Sequence, residues 1–206
     1  LLSLNFLATI LALAFVGLTL YKVRKIHLFT YGIDQESKSM YAQIQAFYSL
    51  DKLLQLQAPL PTLRGWAASP DFLLEIAKYA LEAKPKNTLE CSSGCSTIVL
   101  ARCMQINDKG HVYSLEHDTT YAAMTRHELE RQGLTEWATI VDAPLIDISS
   151  LPTYRWYSLD KLPSLENAID MVVIDGPPRA TCNLARYPAF PMLKQALWEC
   201  RGMNYF

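Results

Sequence analysis

A short apolar run ending in an acid, then a turn of small residues, then a helix-length segment, constrains this chain more than any other feature. It is clearest at Thr88-Leu89-Glu90-Cys91, followed by Ser92-Ser93-Gly94-Cys95-Ser96 and a helical stretch from Thr97 to about Gln105. The pattern returns as a strand at His111–Glu116 with a helix at Thr120–Gln132, a strand at Ala138–Val141, a looped stretch, and a strand at Ile169–Asp175. Strands alternating with helices of this length predict an α/β fold, a doubly wound parallel sheet of about four strands whose ligand sits beyond their carboxyl ends. Ahead of it, Ser69-Pro70-Asp71 reads as a helix start, with a capping hydroxyl, a first-turn proline and an acid near the positive dipole end. That helix runs to about Ala83, before Pro85.

The unusual residues fall at the strand ends: Glu90 with its Ser/Gly turn, Glu116-His117-Asp118, Asp142, and Asp175-Gly176-Pro177-Pro178. Any one of them alone reads as a solvated loop acid, since strand ends are commonly polar. Together they converge on one crevice. Glu116 lies 22 residues after Gly94, close to the spacing at which an acid ending the second strand accepts hydrogen bonds from a ribose diol. A nucleoside-bearing ligand is therefore expected. A dinucleotide fingerprint wants three glycines to admit a pyrophosphate, whereas this turn keeps one glycine and begins with a carboxylate, which suits an ammonium group.

Leu89-Glu90-Cys91-Ser92-Ser93-Gly94-Cys95-Ser96-Thr97, Ser114-Leu115-Glu116-His117-Asp118 and Val173-Ile174-Asp175-Gly176-Pro177 resemble a class I S-adenosylmethionine-dependent methyltransferase with a Rossmann-like fold. The similarity is to the branch whose first motif reads Glu-x-Gly-x-Gly-x-Ser-Thr, and it covers roughly Leu63 to Leu193. The resemblance implies S-adenosylmethionine as cofactor. It implies that the turn from Glu90 through Ser92 and Gly94 to Ser96 holds the methionine portion, Glu116 the ribose, and Asp142 with its neighbours the adenine. Asp175 would face the methyl group and acceptor. Ser92 departs from the pattern, standing where the family usually has its first glycine, and a Cβ there is costly if the site needs positive φ. Ser96 matches the branch and is placed to cap the following helix. His117 is a second catalytic candidate, a general base beside the crevice, against the plainer reading of a hydrogen-bonded loop residue. The aromatic group Tyr154-Arg155-Trp156-Tyr157 either lines an acceptor pocket or packs beneath a loop.

Residues Leu1 to Tyr21 carry no charge, enough helix at about 1.5 Å per residue to span a hydrocarbon layer of roughly 30 Å. A cleaved signal peptide fits less well, because its apolar core runs only about 7–15 residues behind a basic leader. Lys22, Arg24 and Lys25 follow directly and predict a single-pass membrane protein with its domain on the cytoplasmic side. Glu36 to Gln57 then shows Met40, Ile44, Phe47 and Leu54 at helical spacing, stopped by Pro59 and Pro61. Its cations Lys38 and Lys52 are offset by Glu36 and Asp51, so packing on the domain or on a protein partner is the better expectation than lying on lipid. The expected organisation is an anchor with basic flank at 1–25, a connecting amphipathic helix at 26–61, and a methyltransferase-like domain at 62–206.

Composition narrows the partners. With 19 Lys+Arg against 20 Asp+Glu, the chain lacks the clustered cations that bind nucleic acid. Five cysteines at irregular spacing, Cys91, Cys95, Cys103, Cys182 and Cys200, argue against a disulfide framework, and Cys91 with Cys95 alone makes a poor zinc site, so no metal is expected. After Asp175 the family would supply a helix, a fifth strand and a closing antiparallel pair, and here only a helix at Tyr187–Trp198 is legible. The expectation is therefore an incomplete or degenerate domain, or one whose open sheet edge a partner subunit covers. Two functions follow, a membrane-anchored methyltransferase of unknown acceptor, or a non-catalytic accessory subunit of a membrane complex that keeps the fold.

Overall fold

The computed structural model describes residues 2–61, 68–163 and 169–198. The first helix, α1, runs without a break from Leu2 to Leu54. The chain divides into two units, Leu1–Gln45 and Ala46–Phe206, so the last turns of α1 belong to the second.

This corrects two expectations. One continuous helix replaces an anchor followed by a separate amphipathic helix, because nothing between Lys25 and Glu36 breaks helical geometry. Of the stripe expected at Met40, Ile44, Phe47 and Leu54, only Leu54 is buried; the buried positions are Ala46, Leu50 and Leu54, four residues apart and confined to the end of the helix. Helix α1 also stops before the prolines. Gln55 turns left-handed at φ +46°, and Arg102 donates from Nε to the Leu54 carbonyl at 2.9 Å, capping the end from another element. As for the expected span, among the described residues no helix is long and apolar enough to cross a membrane. Of the expected span, Leu1 and the side chains of residues 2–4 and 7 lie outside the described residues.

The second unit follows the expected alternation. Helix α2 is Pro70–Ala83, strand β1 Asn87–Cys91, helix α3 Cys95–Asn107, strand β2 His111–Glu116, helix α4 Thr119–Arg131 and strand β3 Ala138–Asp142. A hairpin follows, β4 Leu145–Ile148 and β5 Leu151–Tyr157, then strand β6 Met171–Ile174 and helix α5 Ala189–Trp198. Strands β3, β2, β1 and β6 form a four-stranded sheet in that order, every pair parallel. The looped stretch expected after Asp142 is thus an antiparallel hairpin, with Leu145 opposite Tyr157 and Ile146 opposite Trp156. Its apolar positions are spread among polar ones over two runs of only four and seven residues, which explains why it did not read as strand.

Period-two alternation in the strands builds two cores. Val112, Ile140, Met171 and Val173 face α2, α3 and the end of α1, whereas Leu89, Leu115, Val141 and Val172 face the hairpin and α5. Trp156 and Tyr157, both almost wholly buried, fill the second core. The chain steps outward from β1 through β2 to β3, then returns to the other side of β1 as β6. The topological switch point therefore lies between β1 and β6, where parallel sheets open a ligand crevice at their carboxyl ends.

Candidate active site

Glu90 and Glu116 point to the α3 side of the sheet from neighbouring strands, and both are buried. Glu90 accepts from the Thr97 hydroxyl at 2.6 Å and from the Ser114 hydroxyl, so it ties the end of β1 to the first turn of α3 and to β2. Its Oε1 has no partner. Burial, only partly offset by those hydrogen bonds, pushes the carboxyl up to about 7.

Glu116 is the opposite case. Its Oε2 accepts from the Ser93 backbone N–H and hydroxyl, each at 2.9 Å, and its Oε1 from the backbone N–H groups of His117 at 2.8 Å and Asp118 at 3.0 Å. The His117 imidazole Nδ1 stands a further 3.0 Å from Oε1. Burial alone would raise this carboxyl, but the hydrogen bonds from His117, Asp118 and Ser93 outweigh it and hold it below the usual carboxylate range. Ser93 thus carries a role the sequence did not assign it, joining the β1 turn to the end of β2.

The turn between them is strained at one residue. Ser92 adopts φ +101°, a left-handed conformation that favours glycine, so the departure at this position carries the conformational cost the sequence suggested. Gly94 follows at φ +150° and is the N-cap of α3; Thr97 Oγ1, three residues on, accepts from the Gly94 N–H at 3.0 Å. Ser96 does not cap α3, contrary to expectation, because it lies buried inside the first helical turn. Ser69 likewise leaves the cap of α2 to Asp71, whose carboxylate accepts the Ser69 hydroxyl at 2.5 Å and the Phe72 N–H at 2.9 Å.

At the switch point the turn Ser92–Ser96, Ala68, Pro178, Asp175 and Arg186 line a cleft of about 70 Å³. Asp175 follows β6, and its carboxyl is raised by burial and lowered less by Arg186, whose Nη2 lies 3.4 Å from Oδ1. Cys95 shares the lining, yet burial pushes its thiol up to about 11, so it stays protonated at neutral pH.

Other candidates stand further off. Asp142 ends β3, half-exposed, and pairs with Arg126 of α4 at 2.7 Å. His117 packs edge-on to Tyr157, with ring centroids 6.0 Å apart. Tyr157 resolves the alternatives left open for the aromatic group. It packs within the second core, yet its buried hydroxyl has no partner and crowds the strand ends: a Cβ on Gly176 would meet Tyr157 Oη at 2.3 Å and Ser92 Cβ at 2.8 Å. Among the described residues no three His, Cys, Asp or Glu side chains gather as a metal site would require. Arg186 had no signal in the sequence, because only the return of β6 to β1 brings the segment after Pro178 over the first turn.

A family profile described as "Methyltransferase domain" matches residues 89–195, just over half of the chain. No curated protein matches. Among solved structures the chain is similar to the SAH-bound Podospora anserina methyltransferase PaMTH1, at 17% identity and a TM-score of 0.48 over 69% of this chain and 57% of that one. It is similar too to a putative O-methyltransferase from Klebsiella pneumoniae, at 25% identity and a TM-score of 0.47 over 74% of this chain and 60% of that one. A third is the O-methyltransferase from Bacillus cereus in complex with SAH, at 19% identity and a TM-score of 0.46 over 75% and 60%. The chain spans about three fifths of the length of these structures.

Proposed function

The chain belongs to the methyltransferase domain family, and from that premise we propose that it is an S-adenosylmethionine-dependent methyltransferase whose cofactor lies across the carboxyl ends of β1, β2 and β6. The observation that carries this reading is the orphaned, buried Oε1 of Glu90 at the foot of a polar turn, an acceptor suited to an ammonium group. When bound, the sulfonium supplies an electrophilic methyl group. The protein's part is to hold and orient. Glu90 and the Ser92–Ser96 turn take the amino-acid end, Glu116 the ribose hydroxyls, and Asp142 with its neighbours the adenine. Asp175 faces the methyl and the acceptor, and His117 is the second catalytic candidate, a general base beside the crevice. Ser93 Oγ lies 3.1 Å from Thr125 Oγ1 as well as on Glu116, so it has a second partner if a ribose hydroxyl takes its place.

We further propose attachment to a membrane through Leu1–Tyr21, with the domain on the cytoplasmic side. Supporting this are the exposed apolar side chains Phe6, Ile10, Leu13, Phe15, Leu18 and Leu20 along α1 and the cations Lys22, Arg24 and Lys25 that follow. A protein partner would suit the exposed Met40, Ile44 and Phe47, or the free edge of β6, which among the described residues pairs only with β1. Labelling of Cys182 by an impermeant maleimide from outside sealed cells would overturn the orientation.

A second reading, a non-catalytic accessory subunit of a membrane complex, is favoured by the saturation of Glu116 with donors from its own chain. Titration calorimetry of the folded full-length chain with S-adenosylhomocysteine separates the two. Saturable binding at one site per chain is the expected result; absence of binding by folded protein would sink the enzyme reading in favour of the accessory one.

A further inference from the structure

The cleft at the switch point presents opposite charges that hold each other weakly. Arg186 reaches Asp175 through one nitrogen at 3.4 Å, near the outer range of hydrogen bonding, whereas Arg126 holds Asp142 at 2.7 Å and also the Ile140 carbonyl at 2.9 Å. Charge-assisted pairs normally close to about 2.7–2.9 Å. Arg186 is therefore underused in this pair, and its side chain is half-exposed where it lines the cleft.

Its backbone is well fixed. Leu184 sits left-handed at φ +53°, the Tyr187 N–H donates to the Leu184 carbonyl at 2.8 Å, and the Ala189 N–H donates to the Arg186 carbonyl at 3.1 Å. Ala185 and Ala189 on either side are buried, and the Tyr187 ring packs on Tyr154 with centroids 5.3 Å apart. A cation on a braced turn, opposite the Ser92–Ser96 turn, is arranged for something other than its loose partner. The cleft, at about 70 Å³, is far below the roughly 300–1,000 Å³ of whole ligand sites and matches one end of a ligand. An α-amino-acid end carries a carboxylate, the group a planar guanidinium binds through two parallel hydrogen bonds.

We propose that Arg186 is the anchor for the carboxylate of the cofactor's amino-acid end, and that this carboxylate displaces Asp175 from the guanidinium. The proposal rests on the reading of the chain as a cofactor-binding methyltransferase. It makes Arg186 a positioning residue that discriminates ligands keeping the carboxylate from those lacking it. It also leaves Asp175 free of its cation once the ligand is in place, which sharpens that residue's role toward the acceptor.

The test compares two probes on the full-length chain, S-adenosylhomocysteine and 5′-methylthioadenosine, which keeps the nucleoside and sulfur but has no amino-acid end. Calorimetry on the wild type, Arg186→Gln and Arg186→Lys reads the affinities, and circular dichroism confirms that each variant is folded. Arg186→Gln should bind S-adenosylhomocysteine about ten- to a hundredfold more weakly, as loss of a charge-assisted hydrogen bond implies, with 5′-methylthioadenosine unchanged within about twofold. Arg186→Lys, which keeps the charge and loses the fork, should fall between. If the wild type binds S-adenosylhomocysteine and both variants match it, the anchor is overturned while the methyltransferase reading stands. Equal weakening for both probes overturns it too, since the effect then does not come from the carboxylate. A wild type that binds neither probe overturns the anchor together with the reading beneath it.

Discussion

Glu90 and Glu116 end neighbouring strands, face the same side of the sheet and are both withdrawn from water, yet their surroundings push them in opposite directions. Around Glu116 the chain turns four hydrogen bonds inward, two of them from the backbone just beyond β2, where it bends into α4. Around Glu90 the donors are hydroxyls on one oxygen only, and the other oxygen is left bare. Burial depth therefore does not set the state of a buried acid; the number and kind of donors that the local backbone can bring to it do. Glu116 is built as a fixed anion, a structural joint between β2 and the β1 turn. Glu90 is poised near neutrality at about 7, a group whose charge an arriving cation would settle.

The largest break in this comparison comes from removing the joint. Glu116→Ala would strip the acceptor from the half-buried Ser93, His117 and Asp118 N–H groups at once, and donors left without partners away from water are costly. We expect a loss of about 3 kcal/mol in urea unfolding, since each donor left without a partner costs about 1–3 kcal/mol. A loss below about 1 kcal/mol would show that the joint is dispensable and that the two acids are more alike than their geometry suggests.

The next prediction uses pH to separate the pair by sign. Glu90 has a folded value near 7 against an ordinary value of 4.5, so the unfolded chain releases this proton first as pH rises. Its stabilising contribution is complete below about pH 4.5 and is lost between there and about pH 7, by about 3 kcal/mol in total. Glu116 is depressed, so its contribution is complete above the ordinary carboxylate range and is lost as pH falls through its lower folded value. Glu90→Gln should therefore remove a decline in stability between pH 5 and 7.5 and leave the acid-side loss intact, as read by thermal melts across pH. A variant with the wild-type profile would mean that Glu90 is not the group titrating in that window.

Much of this arrangement was legible in the sequence because it is local. The apolar runs ending in Glu90 and Glu116, and the small-residue turn, fixed where strands and helices begin to within a few residues, since period-two burial and helix starts are written in adjacent positions. Glu90, Gly94 and Glu116 come together as those patterns imply, and Ser92 takes the positive φ that its place in the turn demands. What was hidden is long-range. The end of α1 at Gln55 depends on Arg102, 47 residues away, and the orphaned hydroxyl of Tyr157 depends on a hairpin that folds back over the strand ends. Arg186 reaches the cleft only because β6 pairs with β1. The stripe on α1 misled for a related reason, since helical spacing shows which residues share a face but not how far along the helix a partner surface extends.

The smallest effect, and the sharpest probe of the comparison, lies at the residue that connects the two acids. Ser92 follows β1, one residue before Ser93 reaches across to Glu116, and it holds φ +101° with a side chain that glycine would lack. Such a conformation costs a non-glycine residue about 1–3 kcal/mol, and glycine relieves it while adding freedom to the unfolded chain. The two contributions leave Ser92→Gly more stable by about 1 kcal/mol. Because neither Ser93 nor the donors to Glu90 belong to Ser92, the gain should be the same at pH 5 and pH 8, shifting the whole profile without bending it. A gain confined to one side of neutrality would mean that the turn transmits the charge of one acid to the other, and the two strand ends would then have to be treated as one coupled site. A uniform loss would show that the serine side chain, packed where Gly176 passes, is worth more than the strain of holding it there.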